Sequence, residues 1–287
     1  MDTFTKQGIL LSIENVSLML PKNKPNGNLI IRELSESIQN IVRPGMTQGQ
    51  VVALLGPSGI GKTQLFKMLA GLETPDSGRI LINVSGNDSS DSCTEVKAGQ
   101  VGVVAQHYPL FRRLKVLENL MLAGRQAGMS RNKAKERATE LLVRFSLGDH
   151  LYHYPKELSG GQRQRVAIAQ QMMCSEYFLL MDEPYSGLDP LMKHEVSNLV
   201  RQVSTMNELS TIIVTTHDIS MAVADADTIW VLGYDNDPAT GTFKPGARVQ
   251  KKYDLIERGL AWQPNIKNLP QFTRTVREIE EVFTKLK

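Results

Sequence analysis

The feature that most constrains this chain is the run GPSGIGKT, residues Gly56 to Thr63, because of what stands on either side of it. The residues before it, Val51 to Leu55, are apolar and partly β-branched, which predicts a buried strand. The residues after it, QLFKMLAGLE, place apolar side chains at helical spacing. A strand, a glycine-rich loop and a helix in this order predict an α/β core that carries a phosphate-binding loop.

Each residue type in the run has a physical task in phosphate binding. Glycines allow backbone N–H groups to turn toward phosphate oxygens at the start of a helix. Lys62 is predicted to neutralise the β- and γ-phosphates, and the Thr63 hydroxyl is predicted to bind Mg²⁺. A purely structural glycine turn is the alternative. The predicted nucleotide contacts in this loop are Gly56, Pro57, Ser58, Gly59, Ile60, Gly61, Lys62 and Thr63.

A second buried strand is predicted over Tyr177 to Met181, and it leads into Asp182 and Glu183. Side chains alternate in direction along a strand, so two neighbouring carboxylates are expected to have different roles. We predict that Asp182 binds Mg²⁺ together with Thr63 and that Glu183 is the general base for an attacking water. Turn or helix capping by either carboxylate is the alternative.

A third strand is predicted over Thr211 to Thr216, and it is followed by His217. Ligands bind at the carboxyl ends of strands in open parallel sheets, so this position favours a catalytic role for His217 over a structural one. The spacing of His150 and His153, three residues apart, would allow them to bind a metal, but the sequence offers them no further ligand.

The stretch ELSGGQRQR, Glu157 to Arg165, looks like a second and incomplete phosphate cradle. Ser159 and Gln162 have the spacing of a capping box, which predicts a well-capped helix start. However, Gly160 and Gly161 each cost a helix ~1 kcal/mol relative to alanine, while they let a phosphate approach backbone N–H groups closely. With neither lysine nor metal ligand, this cradle is expected to complete a phosphate site that begins elsewhere.

Composition and charge limit the classes of function. Lys plus Arg (33) barely exceeds Asp plus Glu (30), and the net charge of +3 is too small to indicate a nucleic-acid partner. Two cysteines favour a reducing compartment. The start MDTFTKQGILL does not predict a signal peptide, and no apolar stretch approaches the ~20 residues that cross a bilayer. We therefore expect a cytoplasmic chain whose membrane role depends on partners.

The motifs together resemble the ATP-binding cassette (ABC) ATPases. LSGGQRQR is similar to the signature sequence of that family at every position, and the loop at 56–63, Gln106, MDEPYSGLDP and TTHD follow in the family's order and spacing over residues 10 to 235. The resemblance implies a P-loop NTPase with a RecA-like α/β core, about 1–111 and 174–235, an antiparallel β subdomain and an α-helical subdomain inserted at about 112–173. A short extension would occupy 236–287, ending in an amphipathic helix predicted around Thr273 to Leu286.

The resemblance also implies a shared site. In that family two copies pack head to tail, and each ATP lies between the P-loop of one copy and the signature of the other. Gln106 would sense Mg²⁺ and the attacking water, Asp189 would contact the opposite subunit, and His217 would reach the γ-phosphate. The contacts to the partner's nucleotide would be Ser159, Gly160, Gly161, Gln162 and Asp189.

Two positions depart from the family's pattern. Leu18, Met19 and Leu20 stand where an aromatic residue usually stacks on adenine. Gln170 stands where an arginine is usual in the signature helix.

The expected function is the ATPase subunit of a membrane transporter. It would pair with a second copy or a homologous ATPase subunit, with integral membrane permease subunits and, through the complex, with a periplasmic solute-binding protein. It would lie on the inner face of the cell membrane. The segment from His107 to Leu120 is expected to dock a membrane subunit; ordinary packing of Pro109 and Leu110 beneath the helical insertion is the alternative. The stretch QHYPLFRRLKVLENLMLAG, residues 106–124, resembles the corresponding region in bacterial importers of polar amino acids and of nitrate, sulfonate or taurine type. The alternatives are an exporter or lipoprotein-extraction subunit and a soluble ABC ATPase.

Overall fold

A computed structural model describes residues 4–22, 27–43, 45, 48–83, 93–105, 109–175, 177–207, 210–236 and 242–286. Two β-sheets and seven α-helices make up these parts of the chain. Among the described ranges, no helix is both long and apolar enough to cross a membrane.

The larger sheet has six strands and carries the predicted ligand edge. Five of them run parallel, and only one terminal strand pairs antiparallel with its neighbour. In spatial order the strands are β10 (Arg248–Asp254), β9 (Thr228–Gly233), β3 (Gln50–Leu55), β8 (Thr211–Thr216), β7 (Phe178–Asp182) and β6 (Gly102–Val104). The strands predicted from the three apolar runs are thus confirmed as β3, β7 and β8, which are neighbours in the sheet.

The smaller sheet is the antiparallel β subdomain that the family resemblance implies, although its two long strands were not predicted individually. Its strands, in spatial order, are β2 (Asn28–Val42), β1 (Thr5–Leu20), β4 (Ser77–Ile82) and β5 (Thr94–Glu95). The β1–β2 pairing shifts register repeatedly, and Asn15 and Glu33 adopt positive φ angles of 50° and 41°. These irregularities break the two-residue alternation by which strands are recognised in a sequence.

Seven helices pack around the sheets. Three consecutive helices lie between β6 and β7 in the chain and pack against one another, as the helical pattern at 112–173 predicts. The last helix ends two residues earlier and begins three residues earlier than the sequence suggests. The helices are α1 (Lys62–Leu69), α2 (Val116–Gln126), α3 (Arg131–Arg144), α4 (Gly160–Met172), α5 (Pro190–Ser204), α6 (Ile219–Asp225) and α7 (Pro270–Thr284).

Two hydrophobic cores meet at the central strand β3. Its side chains alternate in direction, so Val51, Ala53 and Leu55 enter the core shared with the helices, whereas Val52 and Leu54 enter the core shared with the antiparallel sheet. A strand that is buried on both faces has little freedom to shift. The loop that follows β3 therefore begins from a fixed point.

The segment after β9 is tied to the core by a buried carboxylate. Asp227 is fully buried and pairs with Arg43, and it also accepts hydrogen bonds from the backbone N–H of Val51 (2.7 Å) and the indole N–H of Trp262 (2.6 Å). The Trp262 ring lies 5.7 Å from the Arg43 guanidinium and 6.0 Å from that of Arg201. This contact anchors the C-terminal region to the strand that precedes the glycine-rich loop.

Candidate nucleotide-binding site

The glycine-rich loop turns directly from β3 into α1. Gly59 and Gly61 have positive φ angles of 83° and 107°, a backbone region that residues with a Cβ rarely adopt. A Cβ on Gly61 would also lie only 3.1 Å from the side chain of Ile30, so both conformation and space require glycine there. Ile60 is 4% exposed and anchors the loop in the core below. Ser58 and Thr63 of the loop are exposed to solvent.

Lys62 begins α1, and its ammonium group lies inside the curve of the loop. Its Nζ donates hydrogen bonds to the carbonyl oxygens of Gly56 (2.7 Å) and Pro57 (3.2 Å). Burial lowers the pKa of Lys62, although Glu183 and Asp182 partly oppose this effect. The loop thus holds a positive charge, largely shielded from water, at the end of a parallel strand.

The acidic pair at the end of β7 is arranged differently from the sequence expectation in one respect. The strand ends at Asp182, and Glu183 lies outside it with a positive φ of 46°. The turn is held because the backbone N–H of Glu183 donates to the carbonyl and hydroxyl oxygens of Thr215 (3.0 and 3.1 Å) on the neighbouring strand. The two carboxylates have different surroundings, as expected. The cause is not strand alternation alone, because the left-handed turn at Glu183 also directs its side chain away from that of Asp182.

Glu183 is placed between two basic groups. Its Oε1 lies 3.6 Å from Lys62 Nζ, and its Oε2 lies 2.9 Å from Nδ1 of His217. The Glu183 side chain is 19% exposed, whereas that of His217 is 54% exposed. Because β3, β7 and β8 end at the same edge of the sheet, three residues that are far apart in sequence meet beside the loop.

Asp182 has oxygen neighbours suited to a divalent cation. The hydroxyl of Thr215 donates to Asp182 Oδ1 (2.6 Å), and the second carboxylate oxygen accepts no hydrogen bond among the described residues. Within those residues, no cluster of three His, Cys, Asp or Glu side chains could hold a metal alone. One carboxylate and one hydroxyl suit Mg²⁺, which usually binds through few protein oxygens together with substrate phosphates. Thr215, one residue before the end of its predicted strand, has no sequence signal for this role.

The second cradle is a capped helix start, as the sequence predicts. The backbone N–H of Gln162 donates to the Ser159 hydroxyl (3.2 Å), and the backbone N–H of Ser159 donates to Gln162 Oε1 (2.8 Å). A Cβ on Gly160 would meet nothing within 4 Å, and one on Gly161 would lie 3.3 Å from a carboxylate oxygen of Glu195. The two glycines therefore leave the helix N-terminus accessible. No atom of the chain's own glycine-rich loop is among the nearest neighbours of either glycine.

Asp189 caps α5 and lies at the surface. Its Oδ1 accepts a hydrogen bond from the backbone N–H of Met192 (2.9 Å). Gln106, the remaining predicted metal and water contact, lies outside the described residues. His150 interacts with Gln162 through Nε2 (3.0 Å) and packs edge-on against His153, which gives this histidine pair structural contacts.

The β3–loop–α1 unit, with an acidic strand end beside it, defines a P-loop nucleotide-binding protein. A family model described as ABC transporter matches residues 40–186, about half of the sequence. The chain belongs to the ABC transporter family.

Three curated relatives illustrate the similarity. The sulfate/thiosulfate import ATP-binding protein CysA of Acinetobacter baylyi is 40% identical over 199 residues, which cover 68% of this chain and 55% of that protein. CysA of Synechococcus elongatus is 37% identical over 220 residues, covering 75% and 62%. The Fe(3+) ions import ATP-binding protein FbpC of Brucella abortus is 42% identical over 186 residues, covering 64% and 51%. The chain thus spans little more than half the length of these relatives.

Solved structures confirm the predicted fold. The cbiO1 protein of Clostridium perfringens, part of the ABC transporter complex cbiONQ, superposes with a TM-score of 0.67 at 24% identity, covering 96% of this chain and all of that one. A dimeric ATP-binding cassette in a post-hydrolysis state bound to ADP and Pi gives a TM-score of 0.60 at 24% identity, covering 86% and 99%.

Proposed function

We propose that this chain binds Mg·ATP at its P-loop and hydrolyses it as one half of a dimer that powers a membrane transporter. The observation that carries the proposal is the convergence of Lys62, Glu183 and His217, with Glu183 placed between the other two at 3.6 and 2.9 Å. A glycine-rich loop by itself accounts only for phosphate binding. Hydrolysis also needs a group that positions water and groups that stabilise developing charge.

In this proposal the loop from Gly56 to Thr63 holds the triphosphate. Backbone N–H groups and the first turn of α1 face the phosphate oxygens, and Lys62 neutralises the β- and γ-phosphates. Its ammonium already lies within the loop, so binding exchanges its bonds to two carbonyl oxygens for stronger bonds to charged oxygens.

Thr63, Asp182 and Gln106 would hold Mg²⁺, and the hydrogen bond from Thr215 orients Asp182 for this role. The metal, when bound with ATP, neutralises charge on the phosphate oxygens. Glu183 orients or deprotonates the attacking water. His217, which hydrogen bonds to Glu183 in this structure, reaches the γ-phosphate from the neighbouring strand end.

The signature helix serves the partner's nucleotide. Ser159, Gly160, Gly161 and Gln162 form an open N-terminus, but their neighbours are His150 and Glu195, not the P-loop. An N-terminus with free N–H donors and no cation binds a phosphate only weakly by itself. Two chains packed head to tail would place each signature and each Asp189 against the opposite ATP.

The transport role is supported by the relatives, which are named as ATP-binding proteins for import of sulfate, thiosulfate or Fe(3+) ions. We infer an importer in which closure and opening of the ATPase dimer move separate permease subunits, with a periplasmic solute-binding protein supplying the solute. The chain would then work on the cytoplasmic face of the membrane, with no nucleic-acid partner. The solute would be selected outside this chain.

The docking surface for a permease subunit would lie at the entry to the helical region. Phe111 is 52% exposed, and Arg112 and Arg113 beside it are exposed without ion pairs among the described residues. The buried side chain of Asn119 holds this turn through hydrogen bonds to Phe111 and Leu114. His107 and Tyr108, which the sequence also places in this segment, lie outside the described residues.

Nucleotide binding is tested by a direct titration of the wild type and of Lys62→Ala with Mg·ATP. The substitution should sharply weaken binding, because it removes the only cation within the described part of the loop. Unchanged affinity would overturn the assignment of the loop.

The shared site is tested with two further variants. Glu183→Gln keeps the shape of the side chain, so it should bind ATP and accumulate as a closed dimer in light scattering, with turnover reduced about 10²–10⁴-fold. Each homodimer of Lys62→Ala or of Ser159→Arg has two defective sites. A mixed dimer of the two variants has both defects in one site and leaves the other site intact, so ATPase activity should rise when the variants are mixed. A Glu183→Gln variant that stays monomeric with ATP, together with no recovery on mixing, would refute the dimer mechanism.

Docking is tested by Phe111→Glu. The isolated variant should keep its ATPase activity but fail to assemble with the membrane subunits in co-purification. Normal assembly and transport would place the docking surface elsewhere.

A further inference from the structure

The first turn of α5 faces two directions. Asp189 caps this turn and is exposed, and Leu191 is 70% exposed, the highest value among the large apolar side chains described. Lys193 lies on the side of the helix opposite to Leu191, because successive residues are separated by about 100°. It also lies one turn after Asp189, and its backbone N–H donates to the Asp189 carbonyl oxygen (2.9 Å). One side of the turn is therefore available to a partner, while the other is engaged with the protein.

Lys193 is engaged by Asp218. Its Nζ lies 2.6 Å from Asp218 Oδ2, and the two side chains are 29% and 21% exposed. Burial alone would raise the pKa of Asp218, but the hydrogen bonds from Lys193 and from the backbone N–H of Met221 outweigh it and lower the pKa. The aspartate is thus charged at neutral pH and faces the Lys193 ammonium at hydrogen-bond distance.

Asp218 is also held by hydrogen bonds of its side chain and of its backbone. Its other oxygen, Oδ1, caps α6 by accepting from the N–H of Met221 (3.0 Å), and its own N–H donates to the Thr216 hydroxyl (3.0 Å). It follows His217 directly, and Nδ1 of His217 lies 2.9 Å from Glu183. A displacement of the Asp218 carboxylate therefore acts on the backbone directly next to His217.

We propose that Lys193 is a positioning residue that couples the dimer-facing end of α5 to His217 through its ion pair with Asp218. The inference rests on the proposed function and deepens it. A second copy of the chain that contacts Asp189 and Leu191 moves the first turn of α5. Lys193, which is bonded to Asp189 through its backbone and to Asp218 through its side chain, passes that movement to the Asp218 turn, and this turn sets the position of the His217 ring relative to Glu183.

This arrangement gives the partner influence over hydrolysis without contact with His217. It also separates two properties of the site. ATP binding depends on the P-loop, which Lys193 does not touch. Turnover depends on the placement of His217 and Glu183, and a displacement of about 1 Å can reduce a rate about 10²-fold.

The test compares Lys193→Met, Lys193→Arg and Arg201→Met in the full chain. Arg201 is a matched control, because it lies on the same helix but pairs with Asp225 (3.8 Å), at the end of α6 that is farther along the chain from His217. Lys193→Met should lower kcat about 10- to 100-fold while the Kd for Mg·ATP changes less than about threefold. Lys193→Arg should restore most of the turnover, and Arg201→Met should leave kcat near that of the wild type.

A double-mutant cycle with Asp218→Asn completes the test. Asparagine keeps the cap on α6 and removes the charge, so Lys193→Met combined with Asp218→Asn should lower kcat no further than either single change. Additive losses, a normal kcat in Lys193→Met, or an equal loss in Arg201→Met would overturn the coupling. Failure of the proposed function has a different signature: a wild type without ATPase activity and with no weakening of ATP binding by Lys62→Ala would overturn both.

Discussion

Trp262→Phe is expected to destabilise the protein in a pH-dependent manner, because the indole N–H donates to a fully buried carboxylate. Phenylalanine retains most of the ring between the Arg43 and Arg201 guanidiniums but cannot donate the 2.6 Å hydrogen bond to Asp227. The change therefore isolates one donor in the cluster that anchors the C-terminal region.

The magnitude follows from the charge on the acceptor. A hydrogen bond to a charged group contributes about 1.5–3 kcal/mol, whereas one between neutral groups contributes about 0.5–1.5 kcal/mol. Weaker cation–ring contacts add a few tenths. We expect a loss of about 2–3 kcal/mol in the free energy of unfolding at pH 8, where Asp227 is ionised.

The direction of the pH dependence comes from the pKa of Asp227, which burial raises from 3.8 to about 6 despite the opposing effects of Arg43, Val51 N–H and Trp262. Because this pKa is higher in the folded state than in the unfolded state, Asp227 contributes its full share to the free energy of unfolding below about pH 4. That contribution, on the order of 3 kcal/mol, is lost as the pH rises through about 6. Removing a donor raises that pKa further. The difference between wild type and variant should therefore grow with pH, from about 1 kcal/mol at pH 5 to its full value at pH 8.

Urea denaturation followed by far-UV circular dichroism at pH 5, 6, 7 and 8 measures this difference. Trp230→Phe is the control, because Trp230 is 2% exposed and its indole makes no hydrogen bond among the described residues. Its cost should come from packing and stay constant with pH. A Trp262→Phe cost that is below 0.5 kcal/mol at pH 8 (about half a typical hydrogen bond), or that shrinks as pH rises, would refute the reasoning.

Two further outcomes are expected from substitutions away from the site. Asn119→Leu should lower the free energy of unfolding, measured by urea denaturation, by about 3 kcal/mol. The fully buried amide accepts a hydrogen bond from Phe111 N–H (2.8 Å) and donates to three carbonyl oxygens. A buried polar group that is left unpaired costs about 1–3 kcal/mol. Gly71→Ala should lower the thermal midpoint well below that of Gly99→Ala: both glycines have positive φ, but only at Gly71 would a Cβ lie 2.5 Å from backbone atoms of Lys97. Equal midpoints would contradict the steric argument.

The elements that the sequence analysis predicted correctly are those with local signals. The strand before the P-loop, the strand that ends at Asp182 and the capping box at Ser159 each depend on residues within about eight positions of one another. Their order resembles that of the ABC family, and this resemblance implied the P-loop cassette fold that the solved structures confirm.

The elements that the sequence analysis missed depend on contacts between distant residues. The long strand β1 buries Leu10 and Leu11 consecutively, because a register shift interrupts the alternation that would have revealed a strand. The ion pair between Lys193 and Asp218 joins residues 25 positions apart, and nothing near either residue indicates the other. The sequence predicts Thr215 only as part of a buried strand, whereas its hydrogen bonds to Asp182 and Glu183 come from the pairing with the neighbouring strand.

The left-handed backbone at Glu183 has a consequence for how this chain can be changed. A residue with a Cβ at φ 46° is strained by on the order of 1–2 kcal/mol, and glycine or asparagine would relieve most of that strain. Under the role proposed for Glu183, the same replacements would abolish turnover. Selection of variants for thermal resistance alone would therefore enrich inactive proteins at this position. A library designed to stabilise the chain should hold residue 183 fixed and seek its gains elsewhere.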